Sequence, residues 1–193
     1  PRSGEGEELP EKVTDPFAVE GELSEDTWTW TLQNCREKEK VAVRRTSNFH
    51  RRHGGRVEGR SFQSGPQNPD DCLYRVVINK KLEREEQYGA LAHELGHLFC
   101  GHLGADDGAW WDACPSIDEH QKEIETESVA YLACRRAGLH SLSERYLHWY
   151  AERPGNSSDD RLPPVRIRTV LDTVGYIESM EKANFQSKLD SRV

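Results

Sequence analysis

A chain of 193 residues suits one domain with a small appendage and is long enough to bury a core. It is 35% apolar and 31% charged; its five cysteines include no C-x-x-C pair and no apolar run nears the roughly 18 residues of a membrane helix, which excludes a disulfide scaffold, a cysteine-rich zinc knuckle and a helical membrane span. Net charge is −8, yet residues 36–60 carry nine Lys or Arg against three Glu, so this acidic chain concentrates its anion affinity in one basic segment.

Residues 1–22 are acidic, rich in Pro and Gly and without apolar periodicity, which predicts a flexible N-terminus. Ser24 can cap a helix reaching about Glu39, with Trp28, Leu32 and Cys35 as its buried stripe and Trp30 off it. Val41-Ala42-Val43 reads as a short strand, Gly54-Gly55 as a turn into a second over 56–62, and 65–71 as a loop. Residues 74–79, Tyr-Arg-Val-Val-Ile-Asn, are the strongest strand signal in the chain. A helix then starts near Leu82, carries Glu83, Glu85 and Glu86 in its first turns, and ends after Cys100 at Gly101 or Gly104. An irregular loop precedes a long helix over 118–137 with Gly138 at its C-terminal cap. A shorter helix over 141–152, a loop through Pro163-Pro164, a last helix over 165–180 and a polar tail at 183–193 complete the pass. The expected class is α+β, a small twisted mixed or antiparallel sheet on a helical core, forming one domain over 23–182. The reducing cysteine pattern and absence of a spanning helix point to the cytoplasm.

Within the helix beginning at Leu82, His93-Glu94-Leu95-Gly96-His97 forms H-E-x-x-H. Its two histidines stand one turn apart on one face, so both imidazoles can reach one ion; zinc is the expected metal, although such ligands accept several divalent ions. Glu94 is rotated off that face and suits a general base acting on the attacking water. A catalytic zinc also needs a third protein ligand. His102 follows His93 by nine positions, about 900° of helical rotation, which sets it on the opposite face and out of consideration. The helix over 118–137 offers Glu127, an acid sharing a face with Ile124, Tyr131 and Cys134 beside small Ser128 and Ala130; Glu123, one turn earlier, is the alternative.

His93-Glu94-Leu95-Gly96-His97 followed by Glu127-Ser128-Val129-Ala130-Tyr131-Leu132-Ala133 resembles the ImmA/IrrE family of metallopeptidases. The strand signal at 74–79 leading into Glu86-Gln87-Tyr88-Gly89-Ala90-Leu91-Ala92 is similar to that family as well. The resemblance implies a zincin-like domain with Zn2+ held by His93, His97 and Glu127 and with Glu94 as base. It implies a substrate too, a helix-turn-helix repressor protein cleaved by a metalloendopeptidase. In size and motif layout the chain is most similar to the CapP-type peptidases of bacterial anti-phage (CBASS) operons, which implies activation by single-stranded DNA. In such folds the strand before the motif helix commonly forms the sheet edge above the metal, where an extended substrate can add as a further strand. Residues 74–79 are the candidate edge, their composition fitting an interior strand equally well.

The basic segment, interleaved with Phe49 and Phe62, has what a phosphate-tracking groove with stacking rings requires, with Arg44, Arg45, Arg51 and Arg52 as candidate contacts. Cys114, on the loop between the two ligand-bearing helices with Trp110 and Trp111 as anchors, is a candidate inhibitory zinc ligand, a cysteine switch. For the oxyanion donor, nothing chooses among His140, Tyr146, His148 and Tyr150. The rival reading is a nucleic-acid-binding, antirestriction-like protein whose zinc is structural or vestigial. Glu94 weighs against it, because a structural site needs ligands and no base.

Overall fold

The computed structural model describes residues 18–50, 53–59, 72–106, 108–114, 116–141 and 165–189. Nine elements follow in order among them: β1 (Val19–Glu20), α1 (Glu25–Glu37), β2 (Val41–Thr46), β3 (Gly55–Glu58), β4 (Tyr74–Asn79), α2 (Arg84–Phe99), α3 (Glu119–Arg136), β5 (His140–Ser141) and α4 (Ile167–Met180). The class is α+β, as the sequence predicts.

Ser24 caps α1 by accepting the Thr27 amide, and Trp28 and Cys35 turn inward with Thr31 and Asn34. The Asn34 side-chain amide donates to the carbonyls of Met180 and Lys182 at 2.8 and 3.0 Å, fastening α1 to the end of α4. Leu32 and Trp30 are half-buried.

The main sheet has the order β2-β4-β3, with β2 parallel and β3 antiparallel to β4. This corrects the expectation that residues 74–79 form the edge, since β4 is the central strand. The reason lies in burial: Val76, Ile78 and Asn79 are wholly enclosed and Tyr74 and Val77 nearly so, the continuous pattern of a strand covered on both faces. The edge nearest the motif is β3, which carries Arg56 and Glu58, the charged residues typical of an edge. A second sheet pairs β1 with β5, Val19 opposite Ser141. Ser141 is thus in a strand where a helix over 141–152 is predicted; the rest of that helix lies outside the described residues, as do residues 1–17, the predicted 65–71 loop and the end of the predicted second strand.

The apolar face of α2, Leu91, Leu95, Leu98 and Phe99, forms the centre of the core. It packs on Val129, Ala130 and Ala133 of α3, on Val76 and Ile78 of β4, and on Val174 and Ile177 of α4. Phe185 is buried against Tyr176, and the Tyr176 hydroxyl accepts the Lys188 amide at 3.0 Å. The polar tail expected from 183 is therefore, through residue 189, a docked segment anchored by one ring. No helix among the described residues is long and apolar enough to cross a membrane.

Candidate metal centre

α2 begins with a reciprocal cap, in which the Glu83 side chain accepts the Glu86 amide and the Glu86 carboxylate accepts the Glu83 amide. This fixes the phase of the helix four turns before its functional end. Gly96, inside the motif, lies against Thr126: a methyl group placed there would sit 3.2 Å from Thr126 Cα. The absence of a side chain lets α2 and α3 approach closely enough to share one site.

At that approach His93, His97 and Glu123 present donor atoms that all lie within 4.8 Å of one another. Glu123 Oε2 is 3.6 Å from His93 Nε2 and Glu123 Oε1 is 3.5 Å from His97 Nε2. Both Nε2 atoms therefore face one carboxylate, and both Nδ1 atoms are engaged elsewhere. His93 Nδ1 lies 3.2 Å from Glu127 Oε2, and His97 Nδ1 lies 3.1 Å from His102 Nδ1. Two imidazoles and one carboxylate converging by these atoms, each ring steadied through its other nitrogen, fit a zinc-type divalent ion.

Of the two acids read from α3, it is thus Glu123 that joins the histidines. Glu127, expected as the third ligand, is one turn further along and meets the opposite nitrogen of His93. One face of a helix carries both residues, and only the crossing point with α2 decides which nitrogen of His93 each one meets.

His102 is near the site although it lies off the helical face of the ligands. Gly101 has φ 77°, a left-handed conformation that ends the helix, and the His102 amide returns to the His97 carbonyl at 3.0 Å while the Gly101 amide bonds that of Leu98. This glycine-ended cap folds the residue after Gly101 back over His97. Rotation by 100° per residue carries His102 off the motif face only along a continuing helix, and the helix has already ended at Gly101. The signal for its actual position was the glycine stop itself.

Behind His102 the charge is arranged in a line. His102 Nε2 lies 3.0 Å from Glu125 Oε2, the two side chains being 1% and 0% exposed. Arg166 grips Glu125 through its amide at 2.9 Å, Nε at 3.1 Å and Nη2 at 2.6 Å, and Nη2 also donates to the Cys100 carbonyl at 2.9 Å. Burial opposes the charge on Glu125, but the hydrogen bonds from His102 and Arg166 outweigh it and bring the carboxyl down to about 2. Neither Glu125 nor Arg166 stands out in the sequence.

Glu94 is buried, with its carboxylate under β3, where it accepts a backbone hydrogen bond from Val57. Burial pushes it up to about 7, His93 pulls against this, and Glu123 adds to it. Burial lowers His97 to about 3, with His93, His102 and Lys122 adding to the effect, so its ring is neutral with a free lone pair. For His93 burial also disfavours the charge, but Glu127, Glu94 and Glu123 raise it overall.

A cleft of about 760 Å³ runs past these residues, between β3 with His53 and Gly54 on one side and Glu86, Gly89, Lys122 and Ala130 on the other. Cys114 does not line it. The Cys114 amide bonds the Gly101 carbonyl at 3.0 Å, which pins the loop to the end of α2 beyond the motif. Trp110 and Trp111 do anchor that loop, against Phe99. Arg44 and Arg45 are exposed on β2, the sheet edge opposite β3. Arg51, Arg52 and Phe62 lie outside the described residues, and the Phe49 ring sits under the Arg56 guanidinium at 5.7 Å. Of the oxyanion candidates, His140 is exposed and bonded to Arg135, and the other three lie outside the described residues.

No curated protein and no solved structure matches the chain. Residues 48–165, more than half its length and including His93, Glu94, His97, Glu123 and Glu127, match the peptidase M78 family model, described as the IrrE N-terminal-like domain. The chain therefore belongs to the IrrE N-terminal-like family, a family of metallopeptidases.

Proposed function

We propose that this protein is a zinc metalloendopeptidase in which His93, His97 and Glu123 hold the metal and Glu94 is the base. The observation that carries the reading is the pairing of nitrogens: both Nε2 atoms converge on Glu123 while each Nδ1 is held by a second residue. A bound zinc ion supplies Lewis acidity to a water and to a peptide carbonyl.

The chain's own residues supply the rest. An extended peptide adds to β3, the edge strand among the described residues, and runs along the cleft, its backbone paired with the strand that covers Glu94. Glu94, raised toward neutrality by burial, takes a proton from the attacking water on its carboxylate and passes it to the leaving amine. The same position weighs against a purely structural site, which would have no use for a buried acid between the ligands and the substrate edge.

The substrate we propose is a helix-turn-helix repressor, with single-stranded DNA as the activator in a stress or anti-phage response. The family resemblance supports this, together with the basic segment that includes exposed Arg44 and Arg45. The test incubates the chain with helix-turn-helix repressors encoded near its gene, with and without single-stranded DNA, beside Glu94→Gln and Arg44→Ala/Arg45→Ala. Glu94→Gln should lose on the order of 10²–10⁴-fold in cleavage while retaining zinc. Arg44→Ala/Arg45→Ala should lose only the DNA response and reduce its salt dependence. Cleavage that survives Glu94→Gln would sink the mechanism, and cleavage indifferent to DNA would remove the activator.

A further inference from the structure

We infer that Arg166, Glu125 and His102 form a buried positioning relay that presets the tautomer of His97 and thereby sets the metal affinity of the site. The inference rests on the reading of His93, His97 and Glu123 as metal ligands. It concerns three side chains outside that set, two of them almost wholly enclosed.

The line of contacts runs inward from Arg166. Its guanidinium and amide take up both oxygens of Glu125, so the Glu125 carboxylate has acceptors only to offer. Across 3.0 Å from it, His102 Nε2 must then carry a hydrogen. A neutral His102 with hydrogen on Nε2 has a lone pair on Nδ1. That lone pair faces His97 Nδ1 at 3.1 Å, so the His97 hydrogen must be on Nδ1. What remains on His97 is an Nε2 lone pair directed at the point where His93 Nε2 and Glu123 converge. The opposite tautomer of His97 would require a doubly protonated His102 between Glu125 and His97, or two lone pairs facing each other.

Cys100, His102 and Glu125 also bring their donor atoms within 4.8 Å of one another, the pattern of a second metal site. Arg166 excludes that use, because its positive charge already occupies Glu125, and Cys100 Sγ is directed to Thr173 Oγ1 at 3.6 Å. His93 is steadied more simply, by Glu127 directly at its Nδ1, with the Thr126 hydroxyl 3.4 Å from its Nε2. The relay further joins α2, α3 and the start of α4 at one point, since Arg166 also bonds the Cys100 carbonyl. Metal affinity is thereby coupled to the docking of α4.

The test measures zinc dissociation constants against a chromophoric chelator for the wild type, Glu125→Gln, Arg166→Gln and Cys100→Ala, with metal-free thermal unfolding of each. Histidine 15N chemical shifts of the metal-free wild type read the tautomers. Expected are hydrogen on Nδ1 of His97 and on Nε2 of His102, one zinc per chain, zinc binding weakened about 10–100-fold in Glu125→Gln and Arg166→Gln, and no change in Cys100→Ala. Arg166→Gln alters the more exposed end of the line, so it serves if Glu125→Gln does not fold. Hydrogen on Nε2 of His97, two zinc ions per chain, or wild-type zinc affinity in a folded Glu125→Gln or Arg166→Gln would each overturn the relay and leave the metal centre standing. A folded wild type that binds no zinc would overturn both.

Discussion

Replacing Gly55 by alanine should damage the base while sparing the metal. A methyl group at Gly55 would lie 2.8 Å from the Val77 carbonyl oxygen, 3.3 Å from Glu94 Cγ and 3.4 Å from Glu94 Oε1. Comfortable contact lies near about 3.5 Å, and the Val77 carbonyl belongs to the central strand's ladder and cannot yield alone. The edge strand must move out by roughly half an ångström or so, a strain of the kind that costs about 1–3 kcal/mol of stability. The Val57 amide moves with it, and Glu94 loses its anchor. Since a 1 Å misplacement costs about 10²-fold in rate, half of that should cost on the order of tenfold. His93, His97 and Glu123 sit on α2 and α3, so zinc affinity should hold. The assay pairs chemical denaturation and zinc titration with hydrolysis of the cleaved repressor or a fluorogenic peptide library. Wild-type stability with wild-type turnover would refute the packing argument, and zinc loss in step with activity would refute the separation of base from metal.

Three further outcomes follow from the same geometry. Glu123→Gln should cost more zinc affinity than Glu127→Gln, whose loss of the His93 contact should cost about 10–100-fold; isothermal titration of both variants ranks them, and the reverse order would restore Glu127 as the ligand. Chelating zinc present at about 100 times its dissociation constant should remove about 2.7 kcal/mol and lower the unfolding midpoint by about 5–10 °C, read by calorimetry with and without chelator. Leu95→Ala, at a wholly enclosed position between the two motif histidines, should destabilise by about 2–5 kcal/mol in denaturant titrations.

What the sequence revealed and what it withheld divide along one line. Local signals were legible: the Ser24 cap, the strand at 74–79, the H-E-x-x-H helix and the glycine stops at 101 and 138 each depend on a few neighbouring residues and recur where expected. Pairing was not. Composition alone could not place β4 at the centre, because a β-branched run suits any well-covered strand and the covering partner, β3, is a four-residue piece of glycine and charge. The roles of the acids on α3 were withheld for the same reason. Glu123 and Glu127 differ by one helical turn, and the close approach of Gly96 to Thr126 sets which nitrogen of His93 each of them meets.

The deeper omission concerns Glu125, which sequence reasoning passes over as one more acid on a solvated helix. It has Glu123 two places before it and Glu127 two places after, and α3 turns those two toward one face and Glu125 to the other. Glu123 joins the histidines, Glu127 meets the back of His93, and Glu125 faces the interior, where Arg166 makes its burial tolerable. An acid at every second position, a spacing that on a helix must face different ways, serves here to hold two histidine rings from both sides. The arrangement requires that α3 approach α2 closely, which returns the burden to Gly96: enlarging that residue should disturb ligand, partner and relay together, whereas changing any one acid leaves the contacts of the other two in place.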